Sequence, residues 1–497
     1  MSTVIGRIDP FGGDPKLLHA TVPVHKNDIQ PVRLVSRQGD IENIGFSLAK
    51  KAIVKAGQDI TNLSLSIQHV NAGDVSLLEA GRDLRDTSDR DPATGALLNN
   101  SAKIEISGPG EVLVKTGRNV DLGASEGIST VGNVVNTSLP EQGANLTILA
   151  GANGELNYAG FIDAYLRNND QYSQDFQQVT TLISDFMRQT LNDNSLTDAA
   201  AMEAFAQLKS EDFVAIQPQL NAIVQPVLFN EIRENGKASA KAGSLDFKRG
   251  FAAIATLFPG SDWKGDLSLF FSKIQTIDGG NINLIVPGGQ INAGLAASFS
   301  GAKSASELGI VAQRSGDINA LVRDDFLINQ SRVFALDGGN ILMLSTEGNI
   351  DAGRGAKSAI AAPPPVISFD DNGNLKIEFP PVVSGSGIRT AASSEGIKPG
   401  GVSLFAPHGV IDAGEAGIDS GGFADIIGTL ANASNFKSDG PVSGVAPPPA
   451  SVAAGMTGTS NSTAGVSQGA ESSVNSDVGK NVGEALAKAI LGILSVD

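Results

Sequence analysis

Gly338-Gly339-Asn340-Ile341-Leu342-Met343 leads on to Gly348-Asn349-Ile350-Asp351-Ala352-Gly353, and this phrase comes round three times in the chain. Upstream, Gly279-Gly280-Asn281-Ile282-Asn283-Leu284 leads to Gly289-Gln290-Ile291-Asn292-Ala293-Gly294. Downstream, Pro399-Gly400-Gly401-Val402-Ser403-Leu404 leads to Gly409-Val410-Ile411-Asp412-Ala413-Gly414. A looser copy, Ser315-Gly316-Asp317-Ile318-Asn319-Ala320-Leu321-Val322, lies between the first two. A recurring phrase of this kind identifies an architecture before it identifies an activity.

Within each copy apolar and polar residues alternate, a Gly-rich corner follows, and the alternation resumes. That is the two-residue period of a strand with Gly and Pro at the break. Superposing the copies aligns Ile282, Ile341 and Val402, then Leu284, Met343 and Leu404, then Ile291, Ile350 and Ile411, so similar apolar residues stack in register. The corner glycines Gly289, Gly348 and Gly409 superpose too, and are expected at positive φ. The copies lie 36, 23 and 61 residues apart, counted between Gly280, Gly316, Gly339 and Gly400. A coil of about 20 to 25 residues with insertions at one corner accounts for this, whereas a propeller needs blades of about 40 to 50. The fold expected is mainly β: a parallel β-helix, or solenoid, with about twelve coils spaced about 4.8 Å apart.

The same grammar runs more loosely through the N-terminal third. Ala52-Ile53-Val54-Lys55-Ala56-Gly57, Gly73-Asp74-Val75-Ser76-Leu77-Leu78, Glu111-Val112-Leu113-Val114-Lys115 and Ala144-Asn145-Leu146-Thr147-Ile148-Leu149 are four further passes. Their corners carry Gly followed by a charged or amide residue.

Composition fits a solenoid of tight turns: 58 Gly among 497 residues, 5% aromatic and 18% charged. Gly has no period of three, which excludes collagen. A net charge of −17 argues against nucleic acid as partner, since phosphate binding needs a basic stripe. There is no Cys, which suits a chain that folds outside the cell without a redox partner. The segment Met1 to Pro10 has neither the basic region nor the apolar region of a signal peptide, so the chain is read either as cytosolic or as the C-terminal part of a longer exported protein; strands that begin near Val32 without a capping element before them favour the second.

Several segments break the repeat. The expected division is a lead-in over 1–40, coils over 41–155, a helical insertion over 156–262, and coils again over 263–437. A Ser/Gly/Ala/Pro-rich linker over 438–480 and a short amphipathic segment over 481–497 complete it. In the helical insertion Phe176, Val179, Leu182, Ile183, Phe186 and Met187 share one helical face, and Thr197 and Ser210 read as N-caps. Pro218 and Pro226 are expected to limit or kink the next helix and Gly236 to end it. Within the second set of coils, residues 361–398 hold a hairpin insertion. There Val366-Ile367-Ser368-Phe369 and Leu375-Lys376-Ile377-Glu378-Phe379 flank Asn372-Gly373, a strong hairpin signal. The Pro363-Pro364-Pro365 and Pro380-Pro381 stems block pairing with neighbours, so the hairpin is expected to project.

Parallel β-helices can carry polysaccharide lyases and hydrolases, so carboxylates deserve scrutiny. Asp351 and Asp412, with Asn292, occupy equivalent repeat positions. A catalytic pair is unique, whereas these recur beside a turn where Asp and Asn make local hydrogen bonds. His19, His25, His69 and His408 are scattered, without metal-ligand spacing. Arg354 and Lys357 form a small basic spot at a coil edge, read as solvated. No catalytic, cofactor-binding or metal residue is assigned and no cofactor is expected.

Longer stretches carry a resemblance. Phe251-Ala252-Ala253-Ile254-Ala255-Thr256-Leu257-Phe258-Pro259-Gly260, Gly265-Asp266-Leu267-Ser268-Leu269-Phe270-Phe271-Ser272, Asn329-Gln330-Ser331-Arg332-Val333-Phe334, the run Asp351 to Lys357 with its triple proline, and Gly385-Ser386-Gly387-Ile388-Arg389-Thr390 resemble the C-terminal region of filamentous haemagglutinin family outer membrane proteins. The resemblance spans about residues 245 to 420, and 40 to 160 more loosely. It implies a right-handed parallel β-helix, with the inserted α-helical subdomain and projecting hairpin added to it. It further implies a Gram-negative exoprotein, secreted or at the cell surface, exported through an outer-membrane two-partner-secretion transporter and acting as an adhesin. The signal peptide and N-terminal secretion domain of such proteins have no counterpart here. The function expected is therefore a non-enzymatic adhesin or a C-terminal piece of one, with receptor or glycan unspecified. The alternatives are a carbohydrate-active β-helix enzyme and a passive stalk for a C-terminal effector.

Overall fold

The computed structural model describes residues 25, 27–87, 102–133, 139–209, 212–294, 308–354, 360–361, 366–369, 375–378, 383–392 and 396–444. Each coil of the solenoid lays down three strands, one on each of three faces. First-face strands run from Val32–Ser36 and Ala52–Ala56 through Val75–Ala80, Glu111–Thr116, Asn145–Leu149, Ile282–Val286, Ile318–Val322 and Ile341–Ser345. Second-face strands have two residues each, from Ile41–Glu42 to Ile350–Asp351. Third-face strands form a ten-stranded sheet from Gly45–Leu48 to Phe436–Ser438, so the described residues make ten full coils rather than about twelve. The first two faces count as one 19-stranded sheet because Val402–Asp412 and Ala424–Ala431 run unbroken round the corner between them.

All pairing between coils is parallel and the register is the one the repeats dictate. Ile282 pairs with Ile318, Ile318 with Ile341, and Ile341 with Val402, while Ile291, Phe326, Ile350 and Ile411 form a second column. Inward side chains such as Val54, Leu78, Val114, Ile148, Leu284, Ala320, Met343 and Leu404 make one continuous core. Each large aliphatic removed from water there contributes about 1.5–3 kcal/mol, and no coil can bury its inner face without its neighbours.

The corner glycines depart from expectation. Gly289, Gly348 and Gly409 do not have positive φ. They are needed because successive coils touch: a Cβ on Gly289 would lie 2.2 Å from the carbonyl oxygen of Gly265, and one on Gly409 1.9 Å from that of Gly348. The restriction comes from the coil below, not from the residue's own dihedral angles.

Insertions leave from more than one corner. The helical insertion departs after Asn145–Leu149 and returns at Leu267–Ser268, between first and second face. The longer connections from Leu84–Arg85 to Lys103–Ser107, from Ile291–Asn292 to Gly309–Ala312, and from Ile350–Asp351 to Gly387–Ala391 all fall between second and third face. The last of these contains the hairpin, with Val366–Phe369 antiparallel to Leu375–Glu378, and a second antiparallel pair, Ile360–Ala361 with Val383–Ser384. Strand Gly387–Ala391 is a coil strand lying inside the span expected for that insertion, and strands Phe436–Ser438 and Val442–Gly444 lie where the linker was expected to begin. The turn Asn372-Gly373, the prolines, Ser210, Lys357 and the segment 481–497 are outside the described residues.

The insertion holds α1 (Tyr158–Phe161), α2 (Ser173–Leu191), α3 (Asp198–Phe205), α4 (Gln217–Ala242) and α5 (Lys248–Leu257). Thr197 caps α3 as read, its side chain accepting from Ala200 N–H. The stripe on α2 buries Val179, Ile183 and Met187. Neither Pro226 nor Gly236 ends α4; it runs 26 residues, to Gly243 at φ 62°. An internal proline costs about 3 kcal/mol in an isolated helix, but the tertiary seat of α4 outweighs it.

Candidate functional site

That seat is the outer side of the first face. Leu77, Leu113, Leu149, Ile285, Leu321, Leu342, Leu344, Phe405 and Ile427 point away from the β-helix core and join a second core with Leu220, Val224, Val227, Leu228 and Ile232 of α4. The helix runs lengthwise over the coils. Gln217 meets Lys115, Gln225 accepts from Thr147 Oγ1 at 2.9 Å, and Arg233 donates to Asn319 at 2.9 Å. Gly236 then lies on Phe405, whose ring would stand 2.1 Å from any Cβ there, and the Lys237 ammonium sits 5.7 Å from the Phe423 ring centroid. Gly236 is thus a packing residue rather than a stop. Phe247, just before α5, and Phe251 within it extend the contact, Phe247 5.6 Å from Phe405 and Phe251 stacked on His408 at 5.4 Å.

The recurring carboxylates have structural employment. Asn292, Asp351 and Asp412 each accept from a backbone N–H two residues on, at 3.1, 2.8 and 2.8 Å. Asp351 and Asp412 are register partners in adjacent coils. Burial raises the Asp351 pKa above the ordinary carboxylate value, and the Asp412 charge adds to it. A second row stands at the start of the first face: Asn145, Asn281, Asp317 and Asn340 accept in turn from the N–H groups of Asn281, Asp317, Asn340 and Gly401, at 2.8 to 2.9 Å. The polar residue after each corner is therefore a clip onto the next coil.

Near the other end, Asp59 takes Arg82 through two hydrogen bonds at 3.0 and 2.9 Å and the Asp83 N–H at 3.1 Å. Asp83 repeats the pattern with Arg118 and Asn119 N–H. These acids and arginines satisfy one another and the backbone.

Sequence spacing gave no hint of one arrangement. His69 is fully buried, with Nε2 2.7 Å from Ser76 Oγ and Nδ1 2.7 Å from the Pro109 carbonyl. The Pro109 carbonyl can only accept, so in the neutral ring Nδ1–H donates to it and Nε2 accepts from the Ser76 hydroxyl, whose oxygen accepts from Ala52 N–H at 3.0 Å. The pair has the spacing of a serine–histidine dyad, but a carbonyl replaces the orienting carboxylate and both side chains are sealed from solvent. Burial lowers the His69 pKa and keeps the ring neutral. It works as a strut between coils. Among the described residues no group of three His, Asp or Glu could hold a metal ion, and no helix is long and apolar enough to cross a membrane. Arg354 lies on the surface at the coil edge.

Comparison with known proteins gives one partial match. No curated protein and no solved structure matches the chain. Residues 338–447, which begin at the repeat phrase Gly338-Gly339 and cover the last coils, match the family described as filamentous haemagglutinin family outer membrane protein.

Proposed function

We propose that the chain is a non-enzymatic, adhesin-like protein of the cell surface or the secreted fraction, or a C-terminal part of one. Its β-helix is the shaft; the helical insertion and the hairpin are its non-repeating surfaces. The observation that carries this reading is the employment of the recurring acids. Asn292, Asp351 and Asp412 close turns, and the neighbouring rows clip coil to coil, so what repeats builds the shaft. The partial match of residues 338–447 supports a surface role and, with it, export through an outer-membrane two-partner-secretion transporter.

The test is made on cells producing the full chain. Extracellular protease should reach it, and adherence to host cells or to immobilised glycans should fall when residues 366–378 are replaced by a short Gly-Ser link. A chain that stays protected inside the cell would overturn the reading. So would cleavage of a polysaccharide by the purified chain, which would favour the carbohydrate-active alternative.

A further inference from the structure

Under the N-terminus of α4 lies a cluster that the shaft does not need. Lys55, Glu79 and Lys115 are register partners on the outer side of the first face, in three successive coils. Glu79 stands between the two cations, with Oε1 3.5 Å from Lys115 Nζ and Oε2 3.1 Å from Lys55 Nζ. The Lys115 ammonium meets Gln217, the first residue of α4, whose Oε1 accepts from Nζ at 3.1 Å. Gln217 is fully buried and Lys115 is 8% exposed. The Gln217 amide nitrogen makes no hydrogen bond among the described residues. On its other side Lys115 has the apolar Leu149 as register partner, and the Glu155 charge also acts on its ammonium.

A lysine held against a carboxamide in a dry site, with a carboxylate in reach of the nitrogen, has the parts for amide exchange. We propose that Lys115 and Gln217 form an intramolecular isopeptide bond, with Glu79 as the proton carrier, which ties the helical insertion covalently to the shaft. Glu79 takes a proton from the Lys115 ammonium, and the neutral Nζ attacks Cδ of Gln217. Glu79 then returns that proton to the amide nitrogen, the Cδ–Nε2 bond breaks and the Nζ–Cδ bond remains. The departing ammonia takes a second proton from the former Nζ as the amide forms, so two of the three Nζ protons end on it and it leaves as ammonium; Glu79 is a carboxylate again and nothing is oxidised or reduced. Burial helps the first step, since it lowers the Lys115 pKa and favours the neutral amine, with the Glu79 charge opposing. The unpartnered amide nitrogen is the one that leaves, so no buried hydrogen bond is lost with it.

The experiment is mass spectrometry on the purified full chain after denaturation. The expected result is a mass lower than the sequence mass by one ammonia, with a branched tryptic peptide joining Lys115 to Gln217. The branched peptide is the decisive reading, because succinimide formation at Asn372-Gly373 loses the same mass without joining two peptides. Lys115→Arg and Glu79→Gln should both restore the full mass, and circular dichroism should show each still folded. Linear peptides carrying unmodified Lys115 and Gln217, recovered from folded wild-type protein, would overturn the proposal. A deficit of one water with the branch at Glu79 would overturn it equally.

Discussion

The first face presents the same strand in two settings. In Val32–Ser36 exposure alternates, and Val35 stands 49% exposed on the outer side. In Ile318–Val322 every residue is buried, and the outward Leu321 is 1% exposed. The backbone pairing is parallel and in register in both places. What differs is the cover. Where α4 lies over the strands, the outer positions are buried, apolar at Leu321 and bonded to the helix at Asn319, so the exposed–buried alternation disappears. Where it does not, they keep the alternation of a sheet with one wet face.

The sharpest break is a charge on each side of that comparison. Leu321→Asp should cost about 3–5 kcal/mol in urea unfolding, since it buries an unpaired carboxylate between helix and sheet, whereas Val35→Asp should stay within about 0.5 kcal/mol. Equal effects would mean that α4 is not seated as described.

The next break concerns the contact between coils. Gly339→Ala places a Cβ 2.1 Å from the Gly316 carbonyl oxygen, while Gly73→Ala meets nothing within 4 Å. The first should destabilise by about 1–3 kcal/mol and the second by less than about 0.5.

A smaller effect depends on pH. Burial raises Glu111, at the start of its first-face strand, from 4.5 to about 7, against the opposing hydrogen bond from Asn145. The folded chain therefore keeps this proton between pH 4.5 and 7 after the unfolded chain has lost it, and stability falls as pH rises through that window. Glu111→Gln should remove the dependence, changing the difference between pH 5 and pH 8 by on the order of 1–2 kcal/mol. An unchanged pH profile would assign the proton elsewhere.

Smallest is Asp412→Ala at a turn. It deletes acceptance from Gly414 N–H at 2.8 Å and from Asn432 Nδ2 at 2.6 Å and should cost about 1 kcal/mol.

The alignments of Ile282, Ile341 and Val402 and of Ile291, Ile350 and Ile411 were legible because those coils restate one another; Phe326, which completes the second column, lies beyond the looser copy and was not. The hairpin strands and the Thr197 cap were legible because turn and cap chemistry is local. What escaped was set by distant partners. Gly236 looks like a helix stop until Phe405 is beneath it, and Gly409 looks like a positive-φ turn until Gly348 is below it. The pairing of His69 with Ser76, and of Lys115 with Gln217, likewise depends on which side chains the coil brings to one level. The candidate site was legible only as an absence of unique acids; where the polar groups gather became visible once the coils were stacked.

The course of α4 bears on the order in which the molecule can be completed. Its first turns rest on Lys115 and Thr147, which precede it in the chain, while Arg233 and Gly236 reach Asn319 and Phe405, which follow it. In a chain that emerges from its N-terminus, the helix is laid down before the later coils exist, as a keel precedes planks. The strands from Ile282 onward would then wind against a surface already in place. Pulse proteolysis of chains truncated after residue 263 would show it: protection of α4 through Arg233 before any later coil is made supports this order, and an α4 cut freely until Phe405 is present argues against it.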